Sequence, residues 1–318
     1  MNNLTKNNIK TKKINNTKNK KYFLKKSKKY SKCAPFVTLN KPKSKKKTNI
    51  IKPIEKNSCL DKDSVKNIIK NFNKKNKKNK ITNKSIKNGF FKLKNHYKKK
   101  CNNDEICILN DNIDNINFYH KIKKNFKPLM PLEWYKDKNT WLNTLDIEAV
   151  LKQYELKYPE FKFFGATPID FDKKLYNNKC VDQGLCEINI KKMYKNGIRY
   201  FGAVFNLDPH DKDGSHWISM FCNLNKCEIC FWDSYAYKPP KEVNNLMLKI
   251  KKQAKQINKD MKIKITKKRH QYGNSECGVY STHFIISLLE GNTFEKLTDK
   301  RIPDSVINSY RSKYFLPL

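Results

Sequence analysis

The chain has 318 residues, with 69 Lys plus Arg against 29 Asp plus Glu, a formal charge of +40. That length allows one or two domains, and no stretch approaches the ~20 apolar residues a membrane span needs. Residues 1–30 have no apolar core region, so no secretory signal is expected. Ten Cys without one fit a reducing compartment in which free thiols are the default.

The charge is unevenly spread. Residues 1–100 hold 34 Lys, no Arg and only Glu55, Asp61 and Asp63, a net of +31, and residues 101–318 carry the remaining +9. A Lys/Asn-rich segment of this kind buries too little apolar surface to offset chain entropy, so residues 1–100 are expected to form a largely disordered basic tail. Such a polycation can bind DNA non-specifically through its phosphates. The competing reading is coding bias, since Lys, Asn and Ile share AT-rich codons and the chain has 65 Lys but four Arg. The short pieces "SVKNIIKNF" and "NGFFKL" can form local helices. Residues 101–134 mix charge with Ile106, Ile108, Ile113, Ile116, Phe118 and Tyr119, which suggests a small helical extension. Pro128 and Pro131 then break the chain before Trp134. A compact domain is expected over 135–318, long enough for one real core.

Within that domain, "TLDIEAVLKQYELKYPEF" places Ile147, Val150, Leu151 and Tyr154 at helical spacing, with Thr144 or Asp146 as cap and Pro159 after the end. "RYFGAVFNL" reads as a strand. "HWISMFCNL" and "CEICFW", joined by the short "NLNK" turn, read as an antiparallel hairpin ending at Asp233. Pro239 and Pro240 open a helix with Val243, Leu246, Ile250, Ala254 and Ile257 on one face. "MKIKIT" alternates as a fourth strand. Residues 277–289 are apolar nearly all round, the pattern of a central buried helix, and Gly291 ends it. "PDSVINSYRSKYF" reads as a last short helix.

Three candidates for chemistry fall at structurally sensible places. His216 starts one strand of the hairpin. Asp233 ends the other, 17 residues on, so the two can meet. Cys277 opens the buried helix, where the positive end of the helix dipole and a nearby imidazolium favour the thiolate. In that arrangement Cys277 is the nucleophile, His216 the base and leaving-group acid, and Asp233 the group that fixes the imidazole. Gln271, six residues before Cys277 on a loop bent by Gly273, can join the Cys277 backbone N–H as an oxyanion donor. Gly278 lets a substrate backbone approach closely.

Each residue also has a plain structural reading. A His before Trp, or a Cys at a helix start, is usually packing; the joint pattern is far less accidental. Zinc is the rival chemistry, because Cys222, Cys227 and Cys230 lie close together and "CEIC" is a C-x-x-C. These residues sit on strands, however, with no second C-x-x-C, and Cys227 and Cys230 should point to opposite faces. No metal or other cofactor is therefore expected. Cys180 and Cys186 are nucleophiles on paper only, since neither precedes a Gly or an apolar helix. The four Arg (Arg199, Arg269, Arg301 and Arg311) all lie in the C-terminal part, where a planar guanidinium can serve geometry that Lys cannot.

"GSHWISMFCNLNKCEICFWDSYA" together with "HQYGNSECGVYSTHF" resembles the ubiquitin-like-protein (SUMO-specific) processing proteases and their viral relatives, including the adenovirus-type endopeptidase. The order His, Asp, Gln, Cys is theirs, whereas papain-like enzymes run Gln, Cys, His, Asn. The match is closer to the polyprotein-processing protease of African-swine-fever-type large DNA viruses. It covers "LDIEAVLKQYELKYPEFKFFGATPIDF", "YFGAVFNLDPHDKDGSHW", the "RHQ…ECG" loop and "RIPDSVINSYRSKYF". The resemblance implies an α+β fold, a papain-like cysteine protease core of the ubiquitin-like-protease type. It implies catalytic residues His216, Asp233, Gln271 and Cys277. It also implies a channel covered by Trp217 that accepts Gly before the scissile bond. The swine-fever-type relative has an amide residue where Asp233 stands; the SUMO-type enzymes have Asp. The implied function is a cysteine endopeptidase that matures viral core or capsid precursor proteins, its substrates and partners. The implied location is the virion, and the host cytoplasm at the assembly site before packaging. One alternative is a deconjugase cleaving isopeptide bonds of a ubiquitin-like modifier. Another is a non-catalytic basic DNA-packaging or scaffold protein, against which the intact triad argues.

Overall fold

The computed structural model describes residues 30–40, 47–82, 84–176 and 178–317. From residue 31 onward these form one compact unit. Its N-terminal part is helical: α1 (Lys62–Lys75), α2 (Ile86–His96), α3 (Lys98–Cys101), α4 (Glu105–Asn112) and α5 (Ile116–Lys123). Asp61 caps α1 by accepting from the Ser64 N–H at 2.7 Å. Val65, Ile68 and Phe72 then lie one helical turn apart on its buried face. On α2, Phe90 and Leu93 are buried, and Gly89 lets the two helices close up, since a Cβ there would lie 2.9 Å from the Ile69 side chain. These side chains share a core with Phe36, Leu60, Ile108, Leu109 and Phe126.

This lobe corrects the expectation of a largely disordered tail over 1–100, although the local helices read at "SVKNIIKNF" and "NGFFKL" fall in α1 and α2. Residues 1–29 lie outside the described residues, but 62–101 are largely helical. The mean composition is highly charged, yet the few apolar side chains recur with helical spacing. A helix needs only one buried stripe to pack. The extension placed at 101–134 belongs to the same lobe, through Ile108, Leu109, Ile122 and Phe126.

Expected free thiols are also corrected at six positions. Cys33–Cys59, Cys101–Cys107 and Cys180–Cys186 are disulfides, with Cα–Cα separations of 5.1, 5.5 and 6.2 Å, all within the usual range. The first two lie in the helical lobe. Cys222, Cys227, Cys230 and Cys277 remain free.

The second part is built on a sheet. Helix α6 (Thr144–Lys157) is capped by Asn143 rather than by Thr144 or Asp146. The Asn143 side chain accepts from the Asp146 N–H and the Asp146 carboxylate accepts from the Asn143 N–H, both at 3.0 Å, which makes a capping box. Strand β1 (Phe161–Pro168) follows directly, then the short helices α7 (Gln183–Cys186) and α8 (Ile190–Lys195). Strands β2 (Tyr200–Asn206), β3 (Trp217–Asn223) and β4 (Glu228–Trp232), like the strand that follows them at "MKIKIT", are expected from sequence. Helix α9 (Lys241–Lys255) and strand β5 (Lys262–Ile265) come next. The described residues form a five-stranded sheet in the order β1-β2-β3-β4-β5. The central pairs β2/β3 and β3/β4 are antiparallel, and β1 and β5 add parallel edges.

Helix α10 (Cys277–Leu289) is buried along its whole length. With α6 it covers one face of the sheet, against Phe161, Phe163, Val204, Phe221 and Trp232. Helix α9 covers the other, where Val243, Leu246, Met247 and Ile250 meet Phe201, Phe205, Met220 and Phe231. Alternation along the strands therefore sorts Cys230 to the first core and Cys222 to the second, while Cys227, in the turn before β4, packs against the second, and no metal-holding cluster occurs among the described residues. Beyond α10 come α11 (Phe294–Thr298), α12 (Asp304–Ser309) and α13 (Arg311–Tyr314), so the expected last helix is split at Tyr310. Leu316 then packs into the helical-lobe core. No helix among the described residues is long and apolar enough to cross a membrane.

Candidate active site

His216 is the residue just before β3, and Asp233 the residue just after β4. The antiparallel register, with Ser219 opposite Trp232, brings both to the same end of the sheet. His216 Nε2 lies 2.9 Å from Asp233 Oδ1. That oxygen also accepts from the Tyr235 N–H at 2.8 Å, so an Asx turn aims the carboxylate. The Cys277 side chain is close enough to act on the charge of this imidazole. Burial disfavours a charged ring. The bond to Asp233 and the proximity of Cys277 outweigh it, and raise His216 to about 9.

Cys277 is the first residue of α10 and is buried. The first N–H groups of a helix have no intrahelical acceptor, so the Cys277 N–H is not used inside α10. Helix and strand are tied together where the Ser281 hydroxyl donates to the Trp217 carbonyl at 3.1 Å. Just before the helix, the Glu276 carboxylate accepts from the Ser275 N–H and hydroxyl and from Asn308 Nδ2. Arg311 is buried, stacks on Trp134 at 4.6 Å, and donates to the carbonyls of Thr140 and Ser275. A planar fork bridges three chain segments here, which a lysine cannot do.

Gln271 is completely buried. Its Oε1 accepts from the Ser234 hydroxyl at 2.6 Å, which fixes the sense of the amide. Its Nε2 donates to the Gly273 carbonyl at 3.1 Å and to the Tyr235 hydroxyl at 3.3 Å. The loop is anchored from behind: Arg269 donates to the Gln271 carbonyl, Arg301 to the His270 carbonyl, and the Asp304 carboxylate accepts from the Tyr272 N–H.

Trp217 is buried, and its Nε1 donates to the Leu142 carbonyl at 2.8 Å. Beside it opens a cleft of about 420 Å³ whose lining includes Leu142, Asn206, Asp208 and Asp213. Gly278 faces this chain's own side chains rather than open space. A Cβ there would lie 3.0 Å from Leu142 and 3.3 Å from Trp217. Its missing side chain thus serves the packing of Trp217 and Leu142 on α10, a different use from the close substrate approach expected of it.

Imidazole, carboxylate and thiol therefore meet at one end of the sheet, the thiol at a helix N-terminus. Such an arrangement can generate a thiolate and deliver a proton to a leaving group. Residues 204–318 match the Ulp1 protease family, C-terminal catalytic domain. R355 of Acanthamoeba polyphaga mimivirus, provisionally designated a thiol protease, is 32% identical over 286 residues, covering 82% of this chain and 90% of that protein. The chain belongs to the Ulp1 protease family. It is a cysteine protease.

A cysteine protease of African swine fever virus, strain Badajoz 1971 Vero-adapted, is 27% identical over 183 residues, 55% of this chain and 67% of that one. The crystal structure of the swine fever virus protease superposes with a TM-score of 0.65 at 19% identity, over 91% of this chain and 96% of that one. The α+β protease fold expected from sequence is thus the fold observed. Around this candidate site, sequence reasoning missed Tyr235, Ser234 and Asp304. The scarcity of Arg was the available signal for part of it, since Arg269, Arg301 and Arg311 all brace the loop that carries Gln271 and Cys277.

Proposed function

We propose that Cys277 is the nucleophile of a peptide-bond hydrolase, with His216 as base and acid and Asp233 as the group that orients and charges the ring. The observation that carries this is the 2.9 Å contact between His216 and Asp233 beside the first residue of α10. In acylation the thiolate attacks the scissile carbonyl, and the imidazolium gives its proton to the leaving amine. Neutral His216 then takes a proton from water, which hydrolyses the thioester. The oxyanion is met by the Cys277 N–H and the Gln271 amide. Of the two amide N–H groups, the one on the Tyr235 hydroxyl has the longer bond and is the one to be shared with the oxyanion.

The substrate chain runs through the cleft beside Trp217, with glycine before the cleaved bond. Its source is a viral core or capsid precursor, and the enzyme acts at the assembly site and in the virion. Support comes from the relationship to viral proteases. The basic residues of 1–100 would hold the enzyme near DNA by non-specific phosphate contacts. A second reading, cleavage of isopeptide bonds to a ubiquitin-like modifier, is favoured by the name SUMO-1 cysteine protease that the relative carries in other swine fever virus isolates.

The test is to incubate the purified protein with core precursor proteins of the related viruses and with a SUMO-conjugated protein, then sequence the new termini. New termini after glycine in the precursors, absent with Cys277→Ala, support the first reading. Cleavage confined to the conjugate supports the second.

A further inference from the structure

We propose that Tyr235 is a positioning residue that sets His216 with its ring and Gln271 with its hydroxyl. The inference rests on the protease reading of the site. Two residues after Asp233, the chain turns so that the Tyr235 ring stacks on the His216 ring, with centroids 4.8 Å apart and planes at 29°. An aromatic face against an imidazolium favours the charged ring and limits its rotation. The titratable groups around His216 are Asp233, Cys277 and Tyr235, and Arg269 stands against Tyr235 at 5.0 Å.

The hydroxyl has a separate task. It donates to the Gly273 carbonyl at 2.8 Å and accepts from Gln271 Nε2 at 3.3 Å. One phenol thus ties the imidazole, the oxyanion amide and the bend at Gly273 into a single bracket. Guanidinium groups extend the stack outward, Arg269 lying 4.7 Å and Arg301 4.3 Å from the Tyr272 ring. Burial and the nearby Cys277 raise the Tyr235 hydroxyl above its ordinary range, so it stays protonated and able to donate. Ring and hydroxyl act on different partners, so two substitutions separate them.

Tyr235→Phe and Tyr235→Ala are made in the full chain, alone and with Gln271→Ala. They are assayed on a peptide ending in Gly-Gly with a coumarin amide leaving group. The rate of Cys277 alkylation by iodoacetamide is measured against pH in parallel, and needs no substrate. Tyr235→Phe is expected to lower kcat by about fivefold with KM unchanged, and to cost nothing further once Gln271 is Ala, because the two act as a unit. Its alkylation profile should overlay wild type. Tyr235→Ala is expected to slow alkylation at pH 7–8 by about tenfold, as the imidazolium loses its support. An unchanged or raised kcat for Tyr235→Phe, an equal cost in both backgrounds, or a wild-type alkylation profile for Tyr235→Ala overturns the proposal. The two failures are separable. Wild type cleaving with the Tyr235 variants unaffected sinks the positioning role alone, whereas cleavage by Cys277→Ala sinks the reading of the site beneath it.

Discussion

Asp233 Oδ1 serves two donors at once, the His216 ring at 2.9 Å and the Tyr235 backbone N–H at 2.8 Å. The second bond fixes the carboxylate and the first fixes the ring. An Asn at 233 keeps an oxygen for both but loses the charge that favours the imidazolium. Asp233→Asn is therefore expected to lower kcat/KM by about 10- to 100-fold, and His216→Ala by about 1000-fold or more. Peptide cleavage by the purified variants checks the order. An Asp233→Asn enzyme as inactive as His216→Ala would contradict the division of roles.

The elevated His216 sets a pH window. Its folded value, about 9, lies above the ordinary 6.5, so the folded state holds this proton more tightly. Its contribution to stability is full below about 6.5 and is lost as pH rises through 9. Activity that needs the imidazolium–thiolate pair should fall over the same upper limb. His270 and His283 act in the other direction. Burial lowers them to about 4 and about 3, helped by Lys268 and Arg301 in one case and Lys313 in the other. Their contribution is present above 6.5 and lost on acidification towards those values. Melting temperature should decline on both sides of neutrality. His270→Asn should flatten the acid side, and Asp233→Asn should draw the alkaline limb of kcat/KM downward by a unit or more.

Thiol labelling separates Cys277 from the other free cysteines. Burial pushes Cys222 well above the ordinary thiol range, with Cys230 and Cys227 adding to the shift, and pushes Cys230 up to about 12, where Glu228 and Glu295 add to it and Lys264 and Lys226 oppose it. These two should stay unlabelled in the folded enzyme. Partly exposed Cys227 is the competitor, but it has no imidazole beside it in the described structure. Iodoacetamide at pH 6 should modify Cys277 first, as read by peptide mass mapping. Modification of Cys227 before Cys277 would sink the thiolate assignment.

Most of the candidate site was legible because its residues mark element ends. His216 and Asp233 bound a hairpin whose alternation is plain, and Cys277 opens a helix that is apolar on every side. What sequence left hidden depends on distant partners. Strand β1 was missed because its pairing is parallel to a strand nearly 40 residues on, and Gly165 interrupts its register with β2. The basic lobe was hidden by its own average: Val65, Ile68 and Phe72 lie among lysines that only their spacing separates from a solvated tail. Gly278 was read as room for a ligand, and only the fold shows Leu142 and Trp217 filling that room.

Gln271 has its amide fully engaged before any substrate arrives, by Ser234, Gly273 and Tyr235. That anchoring would preorganise it for the proposed donor role, in which its contact with the developing oxyanion forms chiefly in the transition state. Gln271→Ala is expected to lower kcat by about 100- to 1000-fold with little change in KM. Steady-state kinetics on the Gly-Gly peptide decide the matter: a rise in KM alone would make Gln271 a substrate-positioning residue.

Truncation tests whether the N-terminal third is a tail or a lobe. Deleting residues 1–100 would remove α1, α2 and most of α3, along with the Cys33–Cys59 disulfide. It would leave Ile108, Leu109, Ile122, Phe126 and Leu316, now buried in the shared core, facing water. It would also remove the bond from the Asn49 N–H to the Lys157 carbonyl at the end of α6. Such a patch of exposed apolar side chains promotes aggregation. The truncated protein is therefore expected to be insoluble, or to melt at least about 10 °C below the full chain. Deleting residues 1–29 removes none of these contacts and should leave peptide cleavage within a few-fold of the full chain. Solubility, melting temperature and kcat/KM of the two deletions are the measurements. A 101–318 protein that is soluble, melts like the full chain and cleaves normally would show that the helical lobe contributes nothing to the stability of the catalytic part, against the packing seen here.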